Sequence, residues 1–183
     1  MAFRGKVLLN PLTGQDIIFL QTSKDTEGRL LKMQSVYNTQ SREPIAHYHP
    51  EQEEDFTVLE GELSVKINGQ LTAYKAGEHF YIPKGTVHSM WNASVGKTIV
   101  NWEVRPAMNT EYLLETTAGL ANDGRTGADG KPGLLQIALI ANRYAGVFRL
   151  AKPPYIVQRI LFTLLSPFAR LAGYKASYRE YLD

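Results

Sequence analysis

Four side chains able to share one metal ion fall in two short segments of the 183-residue chain. His47, His49 and Glu54 lie in the first, and His88 in the second. His47 and His49 stand two apart, so on a strand both imidazoles leave the same face. Thr86, His88 and Met90 alternate onto one face in the same way, with Asn92 at the next matching position. Two such strands folded against each other bring three neutral imidazoles and one carboxylate into one cavity. That donor set suits one divalent transition ion, whether Fe, Mn, Ni, Zn or Cu, and does not choose among them. The chain has no cysteine, which removes thiolate nucleophiles, disulfides and Cys-based zinc sites. His79 is out of phase with the set and is expected to be structural or at the rim.

Short strands separated by turn chemistry must position these residues. The expected strands are Val7–Leu9, Ile17–Gln21, Leu30–Tyr37, Asp55–Glu60, Glu62–Ile67, Leu71–Tyr74, His79–Ile82, Val87–Trp91, Thr98–Val104 and Glu111–Glu115. Asn68-Gly69 is the clearest hairpin, because a two-residue turn of that type needs positive φ at both positions. Many short strands at this spacing predict an all-β sandwich or closed barrel over residues 1–117. Residues 118–132 read as a Gly-rich linker loop. In residues 133–183, two helices are expected at Leu134–Phe148 and Pro154–Leu171, joined through Arg149–Pro153, with Pro167 ending or kinking the second.

The segment His47-Tyr-His49-Pro-Glu-Gln-Glu-Glu54, followed six residues later by Gly61, resembles the first motif of the cupin superfamily. Gly77, Pro83, Gly85, His88 and Asn92 are similar to its second motif at every defining position. One departure is Ser41, where the family usually has Gly, which touches a turn and not a ligand. The resemblance covers about residues 30–105 and implies a cupin double-stranded β-helix, or jelly-roll, barrel. It implies His47, His49, Glu54 and His88 as metal ligands, and the spacing to Gly61 favours Glu54 over Glu53. It also implies oxygenase, isomerase or decarboxylase chemistry; if the chemistry is redox, Glu54 could double as a catalytic base by partial release from the metal. The helical tail resembles an extension carried by some small bacterial cupins.

Gly61, Gly77, Pro83 and Gly85 read as structural, bending the chain where positive or fixed φ is needed. Asn92 is expected to bond a backbone group near its strand end. Met33, Phe56 and Met90 read as barrel lining, and Tyr48 and Trp91 as packing residues pointing away from the ligands. On Thr98–Val104 one face carries Asn101 and Glu103, the other Val100, Trp102 and Val104. If the first is inward, Asn101 and Glu103 are polar substrate-orienting candidates; otherwise they lie on a solvated outer face.

Charge is unevenly placed. Residues 1–132 carry 13 Lys+Arg against 16 Asp+Glu, residues 133–183 carry 7 against 2, and no acid occurs from Gly133 to Arg179. The two parts therefore have different roles. The tail helices are expected to pack on the barrel or across a homodimer partner. A basic amphipathic contact with anionic lipid is the sharper alternative. Dispersed basic residues without a reading helix argue against nucleic acid. Met1–Asn10 has no apolar core of a signal peptide, and no run suits a membrane span, so a cytoplasmic protein is expected. Two functions follow: a metal-dependent enzyme on a small organic molecule, or a non-catalytic cupin holding a small ligand while its tail docks a partner or membrane.

Overall fold

The computed structural model describes residues 2–41, 43–128 and 130–182; Asp129 of the expected linker lies outside them. Its centre is two facing antiparallel sheets. The first has six strands, ordered β1 (Val7–Leu8), β2 (Gln15–Gln21), β3 (Leu31–Tyr37), β10 (Thr98–Arg105), β5 (Glu53–Glu60) and β8 (His79–Ile82). The second has five, ordered β11 (Arg149–Leu150), β4 (His47–Tyr48), β9 (His88–Trp91), β6 (Glu62–Ile67) and β7 (Gln70–Lys75).

Period-two alternation decides what faces inward. On β3, Leu31, Met33, Ser35 and Tyr37 are buried; on β5, Glu54, Phe56 and Val58; on β8, Phe80 and Ile82. Tyr37, Phe56, Val58, Phe80 and Ile82 meet Leu63 and Val65 of β6 in one core cluster, while Leu31 and Met33, the latter expected as barrel lining, pack in a second with Phe19 of β2. On β10 the even residues face inward, Val100 into the first cluster and Val104 into the second, with Trp102 packed against both. Asn101 and Glu103 are therefore on the outer face, where Glu103 pairs with Lys32 at 2.7 Å, so they are not cavity residues. Two turns matter for register. Asn68 and Gly69 both have positive φ, 49° and 87°, as the hairpin required. Gly61 has φ +77°, and a Cβ there would collide with Lys97 O and lie 2.6 Å from Thr98 Oγ1.

The tail departs from expectation in four places. Glu111–Glu115 is the first half of a helix, α1 (Thr110–Asn122), and not a strand. The Tyr-Leu-Leu window reads as a strand in isolation, while Leu113, Ala118, Leu120 and Ala121 together carry a helical period. The boundary expected at 117/118 accordingly falls inside α1. The first tail helix, α2 (Leu134–Arg143), stops five residues early, and Arg149–Leu150 is the strand β11 rather than a joint. Finally, of the two outcomes expected at Pro167, the helix does not end there: α3 (Tyr155–Leu171) continues through it. Pro167 lies on the exposed side, where water can serve the carbonyl that loses its donor.

The tail does not stand apart. Leu113 and Leu120 of α1 share a cluster with Ile140, Tyr144, Val147 and Tyr178. Tyr178 donates to Gln136 Oε1 at 2.6 Å, and Gln136 Nε2 donates to Lys175 O at 2.7 Å. At the other end, β11 pairs with β4, Leu150 opposite His47 and Arg149 opposite Tyr48. Among the described residues, no helix is long and apolar enough to cross a membrane.

Candidate metal centre

The second sheet supplies the imidazoles. His47 on β4 lies in register opposite His88 on β9, and His49 follows two residues on. Their ligand atoms all lie within 4.8 Å of one another, and together they form a cluster that could hold a metal ion. Across the sandwich, β5 turns Glu54 inward, its side chain 1% exposed. Glu54 Oε2 lies 3.0 Å from His88 Nε2, and Oε1 lies 3.3 Å from His49 Nε2. The carboxylate thus joins the cluster through two of its three members.

Backbone carbonyls fix which ring nitrogen faces the centre. His47 Nδ1 meets Ile45 O at 3.2 Å, His49 Nδ1 meets Val147 O at 2.5 Å, and His88 Nδ1 meets Thr86 O at 2.9 Å. A carbonyl can only accept, so each Nδ1 carries the hydrogen and each neutral ring keeps its lone pair on Nε2. His49 Nε2, His88 Nε2 and Glu54 Oε2 are buried without a hydrogen-bond partner, because their mutual contacts have the distance but not the geometry of hydrogen bonds. Buried polar atoms left this way are costly, and a shared cation satisfies them together. By this test the donor set fits a divalent transition ion.

Electrostatics favour the neutral ring at His47 and the charged carboxylate at Glu54, and work the other way at His88. Burial, with the neighbouring His88 and His49, holds partly exposed His47 down to about 3, the neutral ligand form. Burial pushes the Glu54 carboxyl up, but the imidazoles of His49 and His88 outweigh this and hold it down to about 2. Burial also opposes charge on His88, and contact with Glu54 reverses that and raises it. Tyr37 is pushed up to about 12 by burial, against the Ser35 hydroxyl and with the charge of Glu54 adding to it, so its phenol stays protonated.

The structure separates the rivals. Glu53 points outward and accepts from Tyr81 OH at 2.6 Å. His79 is exposed and contacts Asp55 at 2.9 Å, a rim position. Asn92 is fully buried and bonds backbone, donating to Gly96 O at 2.6 Å and Thr39 O at 3.3 Å. Trp91 is only half-buried, with Lys66 over its ring.

Three contributors were not singled out from sequence. Trp102 Nε1 donates to Glu54 Oε1 at 2.9 Å while its ring lies nearly parallel to that of Phe56. Its position between Val100 and Val104 was the available signal. Phe148 stacks on His47 with ring centroids 4.6 Å apart, and the neighbouring Val147 carbonyl orients His49. No local pattern marks these two, since their place depends on β11 finding β4.

Comparison with known proteins agrees with this architecture. The Cupin domain family model matches residues 35–102, so the chain carries a cupin domain. An uncharacterised Bacillus subtilis (strain 168) protein, YdbB, is 51% identical over 43 residues, 23% of this chain and 38% of that one. An uncharacterised Aquifex aeolicus (strain VF5) protein is 40% identical over 50 residues, 27% of this chain and 41% of that one. The chain thus spans about two fifths of the length of these relatives. An RmlC-like cupin from Shewanella frigidimarina NCIMB 400 shares the fold, with TM-score 0.50 and 18% identity over 61% of this chain and 94% of that one.

Proposed function

We propose that this chain, with its cupin domain at residues 35–102, is a metal-dependent enzyme acting on a small oxygen-bearing organic molecule. His47, His49, His88 and Glu54 are the ligands in this reading. The observation that carries it is the clustering: three separate carbonyls hold the Nδ1 atoms of His47, His49 and His88, and the ligand atoms of the three rings lie within 4.8 Å of one another beside a buried carboxylate. A metal held there would supply Lewis acidity toward an enolate, diol or carboxylate oxygen.

The chain's own groups do the rest. The carbonyls of Ile45, Thr86 and Val147 hold the rings in register and raise their basicity as ligands. Trp102 holds Glu54 Oε1, which also lies beside His49 Nε2, and leaves Oε2 beside His88 Nε2. Phe148 stacks on His47 and holds one face of its ring. Tyr37, protonated throughout the working pH range, belongs to the same core and can donate but not abstract a proton. Glu54 fits the ligand role better than the base role, because a carboxyl held at about 2 is a weak base.

Elemental analysis of purified protein tests the ligands: about one transition metal per chain is expected, lost in His49→Ala and His88→Ala. Full retention in both variants overturns the site. The reconstituted protein is then screened against diketones, sugar phosphates and small acids, by oxygen uptake and by product analysis. Metal binding without turnover of any of them shifts the reading to a binding protein.

A further inference from the structure

Helix α3 is turned inside out. Its buried face is Gln158, Phe162, Ser166 and Ala169, and its polar members are bonded inward. Gln158 Nε2 donates to Leu150 O at 2.8 Å and Pro153 O at 2.6 Å, while Ser166 accepts from Asn142 at 2.9 Å. The opposite face is apolar and open: Ile156, Ile160, Leu161, Leu164, Phe168 and Leu171 are between 41% and 86% exposed. At about 100° per residue these side chains make one continuous stripe, and Arg159 and Arg170 stand together on one flank of it. Apolar surface this concentrated on a helix marks an interaction site.

Charge identifies the occupant. No acidic residue occurs from Gly133 to Arg179, and exposed Lys152 and Lys175 lie just beyond the two ends of the helix. Among the described residues, none of the ion pairs involves this segment. A second copy packed antiparallel on the stripe would set the Arg159–Arg170 flank against its own like charge. A surface with apolar depth and negative charge at its rim complements both features. The stripe runs about 22 Å at 1.5 Å per residue, too short to span a bilayer of about 30 Å. We propose that α3 docks the protein on an anionic phospholipid membrane, its apolar stripe in the interface plane and Arg159 and Arg170 at the headgroups. The proposal is independent of the metal centre.

The test is sedimentation of the full chain with phosphatidylcholine vesicles, with and without half their lipid replaced by phosphatidylglycerol. Binding to the anionic vesicles is expected to exceed binding to the neutral ones at least about tenfold and to fall about tenfold as salt rises from 0.05 to 0.5 M. Leu164→Asp with Phe168→Asp is expected to lower the partition coefficient on the order of a hundredfold, with unchanged circular dichroism. Arg159→Gln with Arg170→Gln keeps the stripe and should remove most of the preference for anionic lipid. Absence of binding to anionic vesicles at low salt overturns the proposal, as does wild-type binding by either double variant. Light scattering provides the other refutation: a dimer that Leu164→Asp with Phe168→Asp splits would assign the stripe to a second copy.

Discussion

Replacing Trp102 with Phe probes one hydrogen bond at the candidate metal centre. Phe keeps an aromatic ring against Phe56, removes the Nε1–H that reaches Glu54 Oε1 at 2.9 Å, and gives up the rest of the indole's packing. A hydrogen bond to a charged group is worth about 1.5–3 kcal/mol, and at about 1.4 kcal/mol per decade this becomes about a 10- to 100-fold weaker metal complex. That is also the range for outer-shell partners of metal ligands. The carboxylate, freed to rotate, loses the orientation that leaves Oε2 toward His88 Nε2. Chelator competition gives the metal Kd, and urea unfolding of the metal-free protein measures the packing loss separately. In a Glu54→Ala background the Trp102→Phe effect on Kd should shrink below about twofold, because the only group it acts through is gone. A Kd within twofold of wild type, a tighter Kd, or an equal loss in both backgrounds refutes the orientation argument.

Three other outcomes are expected. Phe148→Ala removes the ring stacked on His47, a contact of about 0.5–1.5 kcal/mol, and should quicken metal stripping by a chelator about two- to tenfold; an unchanged rate with lower stability would make Phe148 packing only. Gly61→Ala, which places a Cβ against Lys97 O and Thr98 Oγ1 at positive φ, should cost more than about 3 kcal/mol in urea unfolding. Gly69→Ala, with open space around the same φ sign, should cost only about 1 kcal/mol. Burial raises Glu111, against the Ser23 N–H it accepts and with Glu115 and Asp25 adding to the rise. A carboxyl raised in the folded state binds its proton more tightly there, so its favourable contribution holds below the unfolded pKa and is lost as pH rises through the folded one. Glu111→Gln should therefore gain on wild type as pH rises from 4 to 7, read as urea midpoints; a constant offset would contradict the shift.

What the sequence disclosed and what it hid divide along contact range. His47, His49 and His88 were legible because strand alternation and fixed spacing are local, and Asn68-Gly69 because its backbone conformation is dictated by residue type. Glu53 and Glu54 could be separated by parity alone once β5 was assigned. The two faces of β10 could not, since Asn101 and Glu103 on one side and Val100, Trp102 and Val104 on the other are each acceptable against either solvent or core. Only pairing with β3 and β5 in the sheet decides that Trp102 turns toward Glu54. The misread Glu111–Glu115 has the opposite origin: a five-residue window is too short for a helical period to show against strand-like composition.

The same distinction explains why the tail looked like a separate module. Its composition changes sharply at residue 133, and composition is all that a sequence offers about a segment whose partners are distant. In the structure Val147 and Phe148 complete the centre that His47 and His49 begin, about a hundred residues earlier. Two residues later β11 pairs with β4, and Gln158 then ties the first turn of α3 to the carbonyls of Leu150 and Pro153. One short stretch of backbone therefore orients His49 at one end and anchors the exposed apolar helix at the other. Acidic residues are excluded from this stretch while they are retained around the barrel, so the charge break marks a division of surface and not of fold. The barrel and its tail share one structure and present two different faces.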